Sequence, residues 1–257
     1  MKRMVAVVGG LAIGVTIMLG ILQPWNGRPR SGTPAPPPPA PAAAPDRLDE
    51  ALKLIEEGRI DAAREALKPE FQAAWPAPRA FAVAALADLK SGNVKAAQEG
   101  LAKAASLDPD LFEVALFQGH LDMLLDDHSA ARRSYTAALE RRPGDAKSLA
   151  GRAAARFELK EYAGAVEDAS AAIAVEPDAL FTRAAAYGSL ERNEEAVRDW
   201  TAYLARRPKD AHAWRNRGNA HERMGNKAAA ATDWREAVKL DASLGDQLNP
   251  LITEADR

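Results

Sequence analysis

Prolines recur at positions 109, 143, 177 and 208, and the context that holds them returns once more at Ala242, giving spacings of 34, 34, 31 and 34 residues. Alanines recur independently at Ala63, Ala97, Ala131, Ala165, Ala196 and Ala230, with spacings of 34, 34, 34, 31 and 34. Two markers with one period restrict the chain to an array of similar units, each too small to bury its own apolar face and stable only when stacked on a neighbour. The fifth copy is three residues short, next to Pro177.

Each unit reads as helix, turn, helix, turn. Pro ends a helix because it lacks an N–H, and the acid that follows can accept from the first turn of the next helix. Pro109-Asp110, Pro143-Gly144-Asp145, Pro177-Asp178 and Pro208-Lys209-Asp210 carry that signal. Glu113, three residues after Asp110, has capping-box spacing. Arg141-Arg142 and Arg206-Arg207 place positive charge where the helix dipole favours it. Within a unit, small residues stand where two helices approach, and larger ones fill the space between units. In the last copy the pattern is Trp214, Arg217, Gly218, Gly225, Ala230, Trp234 and Ala237. Earlier copies give Gly119, Ala131, Tyr135, Ala138 and Pro143, then Ala153, Ala165, Ala172 and Pro177.

At these residues the chain resembles the tetratricopeptide repeat family, in a membrane-anchored bacterial form. The resemblance implies an all-α fold: a right-handed α-solenoid of about six 34-residue helix-turn-helix repeats. The expected copies are 46–77, 78–109, 110–143, 144–177, 178–208 and 209–242, closed by a capping segment over 243–257. Two departures carry structural expectations. Asp126, Lys160 and Glu191 replace the turn glycine found at Gly58, Gly92 and Gly225, so those turns are not expected to rely on a glycine backbone. Pro69 falls inside the second helix of the first copy and predicts a break there.

Ahead of the array lie a tail over 1–3, an uncharged run of nineteen residues from Met4 to Leu22, and a Pro/Ala-rich stretch over 23–45. The run has the length of one membrane-spanning helix, which predicts a single-pass anchor; the other reading is a signal peptide, cleaved to leave a secreted protein. Lys2 and Arg3 against Arg28 and Arg30 give a slight bias that puts the repeats outside the cytoplasm, as in the periplasm behind a bacterial inner membrane. Gly10 and Gly14 form a GxxxG pair that allows homodimerisation. The Pro-rich stretch suits a semi-rigid spacer of about 3.1 Å per residue better than a ligand for a small domain.

One pattern is internal to this chain and does not need the family. Arg152 and Asp168, Arg183 and Asp199, and Arg217 and Asp233 are each sixteen residues apart at the same two repeat positions. Where the Arg position holds Gln118 or Ala84, the Asp position holds Ser134 or Gly100. Acid and base come and go together, as expected of a structural ion pair between the two helices of a hairpin. A ladder of ligand-binding arginines is the alternative.

Catalysis finds no candidates. His120, His128, His212 and His221 have no metal-ligand spacing, there is no Cys, and no GxSxG, phosphate loop or dinucleotide motif occurs. No cofactor, metal or enzymatic activity is expected. A formal net charge of −2 argues against a nucleic-acid footprint. The family resemblance implies a protein or peptide partner in a concave groove lined by the second, fifth, ninth and twelfth positions of each first helix. Those positions hold Leu116, His120 and Met123, then Phe157 and Phe181, and finally Arg215, Asn219 and Glu222, with Arg223 beside them. Leu116, Met123 and Phe181 are either anchors for a peptide or ordinary interhelical packing; the two readings stand level. The partner class implied is that of a tethered adaptor in cell-envelope assembly, or a regulatory subunit of an enzyme complex.

Overall fold

A computed structural model of the chain describes residues 45–72 and 77–256. Twelve helices follow one another as six hairpins: α1 (Pro45–Glu56) with α2 (Ile60–Gln72), α3 (Pro78–Lys90) with α4 (Val94–Leu107), and α5 (Phe112–Leu124) with α6 (His128–Arg141). They continue as α7 (Ala146–Glu158) with α8 (Tyr162–Ala172), α9 (Ala179–Ser189) with α10 (Asn193–Arg206), and α11 (Ala211–Arg223) with α12 (Lys227–Leu240). A short 3-10 turn, Ala242–Leu244, leads into a last helix, α13 (Gly245–Ala255), which covers α12 with Leu248 and Ile252. Among the described residues there is no strand, and no helix is long and apolar enough to cross a membrane; the run 4–22 and the stretch 23–44 lie outside them.

The marker alanines explain the hairpin. Ala63, Ala97, Ala131, Ala165, Ala196 and Ala230 are all fully buried, because a methyl group is what two helix backbones can accommodate at close approach. Four residues on, one helical turn away, a second buried position fills the gap between helices with Leu67, Leu101, Tyr135, Trp200 and Trp234. Space for the large rings comes from glycine. A Cβ on Gly218 would lie 2.6 Å from Trp234, and Cβ atoms on Gly119 and Gly151 would lie 2.6 and 2.4 Å from the Tyr135 ring. The fourth hairpin is the exception: the same position is Ala169, and its buried apolar residues are all alanines. A methyl buries little area, so this hairpin gains the least from the hydrophobic effect.

Each first helix ends in the same turn. The residue after the helix's last turn has positive φ, and the next amide reaches back five residues: Asn93 N to Asp88 O, Asp127 N to Asp122 O, Glu161 N to Arg156 O. Gly58, Gly92 and Gly225 take φ of 75°, 76° and 77°, as glycine allows. Asp126, Lys160 and Glu191 take φ of 58°, 62° and 60°. The expectation that these turns do without a glycine-like backbone is therefore corrected: the hydrogen-bond pattern of the turn is kept, and the side chains bear the strain.

Two further expectations are corrected. Helix α2 continues through Pro69 to Gln72. Pro69 stands in its last turn, so only the bond to the Glu65 carbonyl is forgone while Leu67 remains packed in the core. Glu113 forms no capping box with Asp110. It is buried, accepting from Arg79 Nε at 2.8 Å, with Arg142 at 3.5 Å. Of the acids placed to cap, Asp145 accepts from Ser148 N and Asp210 from Ala213 N. Asp178 instead pairs with Arg207 at 2.6 Å, and Asp110 lies outside the cap position, which is Leu111.

Candidate functional site: the inner face of the hairpin array

First helices of successive hairpins touch one another along the array, and second helices do not touch the next second helix. The row α1, α3, α5, α7, α9, α11 is thus the inner wall, and anything bound in the curve meets these helices.

The wall differs along its length. In hairpins 1 to 3, Leu48, Ile55, Leu86 and Leu116 face inward in the repeat register yet are buried, all within one apolar cluster. Leu116 therefore serves core packing. Met123 packs against the same cluster. His120 is half-buried, stacked on Phe117 at 6.0 Å and edge-on to Tyr135 at 5.8 Å. Burial pulls its pKa down to about 4, and the nearby positive charges of Lys90 and Lys147 add to the shift. It is a neutral ring near pH 7, unsuited to recognising an anion by charge.

Toward the C-terminus the wall opens. A cleft of about 190 Å³ lies between α7, α9 and α11. Its lining is apolar at Phe157, Ala184, Ala185 and the buried Trp200, and polar at Ser189, Asn216, Asn219 and Arg223. The cleft exists because the ninth and twelfth inner positions of α9 are Ala185 and Gly188, which fill no space. Arg223 is exposed and donates from Nη1 to the Gly188 carbonyl at 2.9 Å; among the described residues no carboxylate pairs with it. Asn219 accepts from Trp234 Nε1 at 2.9 Å. The hollow continues past Arg223 to Glu191 and Asn193.

Of the groove residues read from sequence, the structure brings Phe157, Asn219 and Arg223 together at this cleft. Leu116, His120 and Met123 lie elsewhere on the wall. Phe181, partly buried, packs edge-on against Trp200 at 4.9 Å and Tyr203 at 5.4 Å, on the core of hairpin 5. Arg215 reaches only its neighbour Asn216, at 3.4 Å. Sequence reasoning missed Asn216, Ser189 and the floor residue Trp200. Small inner positions at Ala185 and Gly188 were the available signal.

The three arginine–aspartate sites are bidentate. Nε and Nη2 of Arg152, Arg183 and Arg217 donate to both carboxylate oxygens of Asp168, Asp199 and Asp233 at 2.7–2.8 Å. The aspartates are buried and the guanidinium groups partly exposed. The charge-assisted bond raises the pKa of Arg152 and of Arg183 above its ordinary value. Nη1 of Arg183 also donates to Ser170 and that of Arg217 to Thr201, both at 3.2 Å, so each of these two arginines ties three helices. Asp168 receives a second guanidinium, Arg156 Nη1 at 2.8 Å. That extra pair reinforces the alanine-only hairpin. In hairpin 3 Asp122 fills the space, accepting from Gln118 and Ser134 at 2.7 Å each. With their forks engaged on buried carboxylates, these arginines act in packing.

Repeated hairpins stacked through their first helices define a helical-repeat array as the class of fold. Residues 118–179 and 181–244 match the tetratricopeptide repeat family model. Those residues read as tetratricopeptide repeats, and α1 to α4 continue the same array of hairpins ahead of them. No match to a curated protein was found by sequence. Among solved structures the chain is similar to MamA, residues 41 to the end, from Desulfovibrio magneticus RS-1: 19% identity, TM-score 0.59, covering 66% of this chain and 98% of that one. It is also similar to a tetratricopeptide repeat protein from Parabacteroides merdae, with 17% identity, TM-score 0.57, and 82% and 88% covered. YrrB, described as having an unusual peptide-binding site, gives 16% identity, TM-score 0.57, and 81% and 98% covered. At these identities the likeness is one of fold.

Proposed function

We propose that the chain is a non-catalytic adaptor that holds a peptide segment of another protein in the cleft between α7, α9 and α11. The observation that carries this is the cleft itself, which combines apolar lining at Phe157 and Ala185 with an exposed Arg223 that has no carboxylate partner among the described residues. Such a site suits an extended or helical segment that seats an apolar side chain beside Phe157 and offers an acceptor to Arg223. The peptide-binding site named for YrrB, a protein of the same fold, supports the reading. The repeats are tethered by residues 4–22 and stand off a bacterial inner membrane on the Pro/Ala-rich stretch, in the periplasm, where the partner takes part in envelope assembly.

The test is affinity capture with the full chain in mild detergent, beside the variant Arg223→Glu with Ser189→Trp. Proteins retained by the first and lost from the second are the expected result; an identical set from both overturns the cleft as the binding site. For the tether, a reporter active only in the periplasm and fused after Arg257 is expected to be active. A silent reporter in a well-expressed fusion reverses the orientation.

A further inference from the structure

Glu56 closes α1 and Lys147 opens α7, ninety-one residues and three hairpins apart, and the two helices do not pack on each other. Lys147 Nζ nevertheless donates to Glu56 Oε1. The pair therefore spans the inner face from the first hairpin to the fourth. Its surroundings make it a convergence of charge. The charges of Lys90, at the end of α3, and Lys147, at the start of α7, both bear on the His120 ring of α5. Burial raises the Glu176 carboxyl above its ordinary range; Lys147 opposes that shift, and Glu56, Asp178 and Asp145 add to it. Among these acids Asp145 is engaged in capping α7 through the amide and hydroxyl of Ser148, and Asp178 is held by Arg207. Glu56 takes Lys147, and Glu176 has no salt bridge among the described residues.

We infer that Glu56 and Lys147 form a charge latch across the inner face, which keeps hairpins 1 to 4 tightly curved and their apolar floor closed. The floor on the latch's side is the buried set Leu48, Ile55, Leu86 and Leu116, whereas the cleft beyond it is open. The latch needs the array to bend where it is most easily bent, and the fourth hairpin, which carries Lys147, has the alanine-only core. Both partners are about half exposed, 48% for Lys147 and 55% for Glu56, so the latch is weak and responds to salt. A bond of this kind biases an equilibrium by about fivefold at most. It is thus a tuning element, and an acidic or basic partner at the inner face can displace it. This inference goes beyond the adaptor reading and does not depend on where a peptide binds.

The experiment uses the full chain in detergent and compares wild type, Lys147→Glu, Glu56→Lys and the exchanged double variant. Amide exchange in the inner turns of α1, α3 and α5 is followed at low and high salt. Each single variant is expected to raise exchange there about two- to fivefold, with no change in α11 to α13, and the charge exchange to restore it. In wild type, high salt is expected to reproduce the single variants. Far-ultraviolet circular dichroism checks that every variant is folded. Unchanged exchange in both single variants at low salt overturns the latch, and so does an exchanged double variant that stays as open as the singles.

Discussion

Truncating Arg183 tests what the bidentate pairs contribute. Removing it leaves the Asp199 carboxylate, 10% exposed as a side chain, without both of its charged donors, while the arginine itself is 22% exposed. Breaking a fully buried pair costs about 3–5 kcal/mol, and partial solvation of the guanidinium brings the expected loss for Arg183→Ala to about 2–3 kcal/mol. Asp199→Ala costs less, about 1–2 kcal/mol, because the freed guanidinium can turn to water. It also keeps Ser170 at 3.2 Å and the Tyr187 ring at 5.8 Å. The double variant is expected to lose about as much as Arg183→Ala alone, a coupling of about 1–2 kcal/mol. Equilibrium urea unfolding followed by far-ultraviolet circular dichroism reads the loss. Additivity of the single losses to within about 0.5 kcal/mol would falsify the pairing as an energetic unit.

Lys160→Gly is expected to stabilise the array by about 0.5–1 kcal/mol, since it relieves a φ of 62° without removing a side-chain contact the turn needs; a lower urea midpoint refutes this. Gly218→Ala places a Cβ 2.6 Å from the Trp234 ring and is expected to cost about 1–3 kcal/mol, whereas the same change at Gly188, whose nearest side-chain atom would be 3.8 Å away, is expected to be nearly neutral. His120 has a folded pKa of about 4 against an ordinary 6.5, so the unfolded chain binds the proton first. Its contribution is full above pH 6.5 and is lost as pH falls toward 4. The wild-type urea midpoint should therefore fall more steeply over that window than that of His120→Phe, and parallel profiles would remove the effect.

The repeat was legible because two kinds of marker obey unrelated physics, proline as a helix stop and alanine as a crossing point. The sixteen-residue recurrence of Arg and Asp was legible because substitution at one position tracked the other. Pair spacing could not show the second donor to Asp168, although Arg156 stands one helical turn from Arg152. Nor could it show that hairpin 3 replaces the fork with Asp122. The groove was the weakest reading. Position in a repeat tells which wall a residue stands on, but exposure depends on how far neighbouring first helices close. Leu116 and Phe181 are drawn into the core by Leu86, Trp200 and Tyr203, while Gly188 hollows the wall one hairpin later. The turns at Asp126, Lys160 and Glu191 misled for a related reason: six backbone hydrogen-bond patterns of one kind outweigh a local preference worth about 1 kcal/mol.

That the inner wall at α7, α9 and α11 is where a protein partner binds is tested most directly by site-specific photo-cross-linking in the native cell. A photoreactive residue is placed at Ser189, in the cleft, and in a separate chain at Arg198, exposed on the second helix of the same hairpin. A discrete protein adduct from position 189, absent from position 198 and abolished by Arg223→Glu, is the predicted result. Adducts of equal yield from both positions, or from position 198 alone, would contradict it.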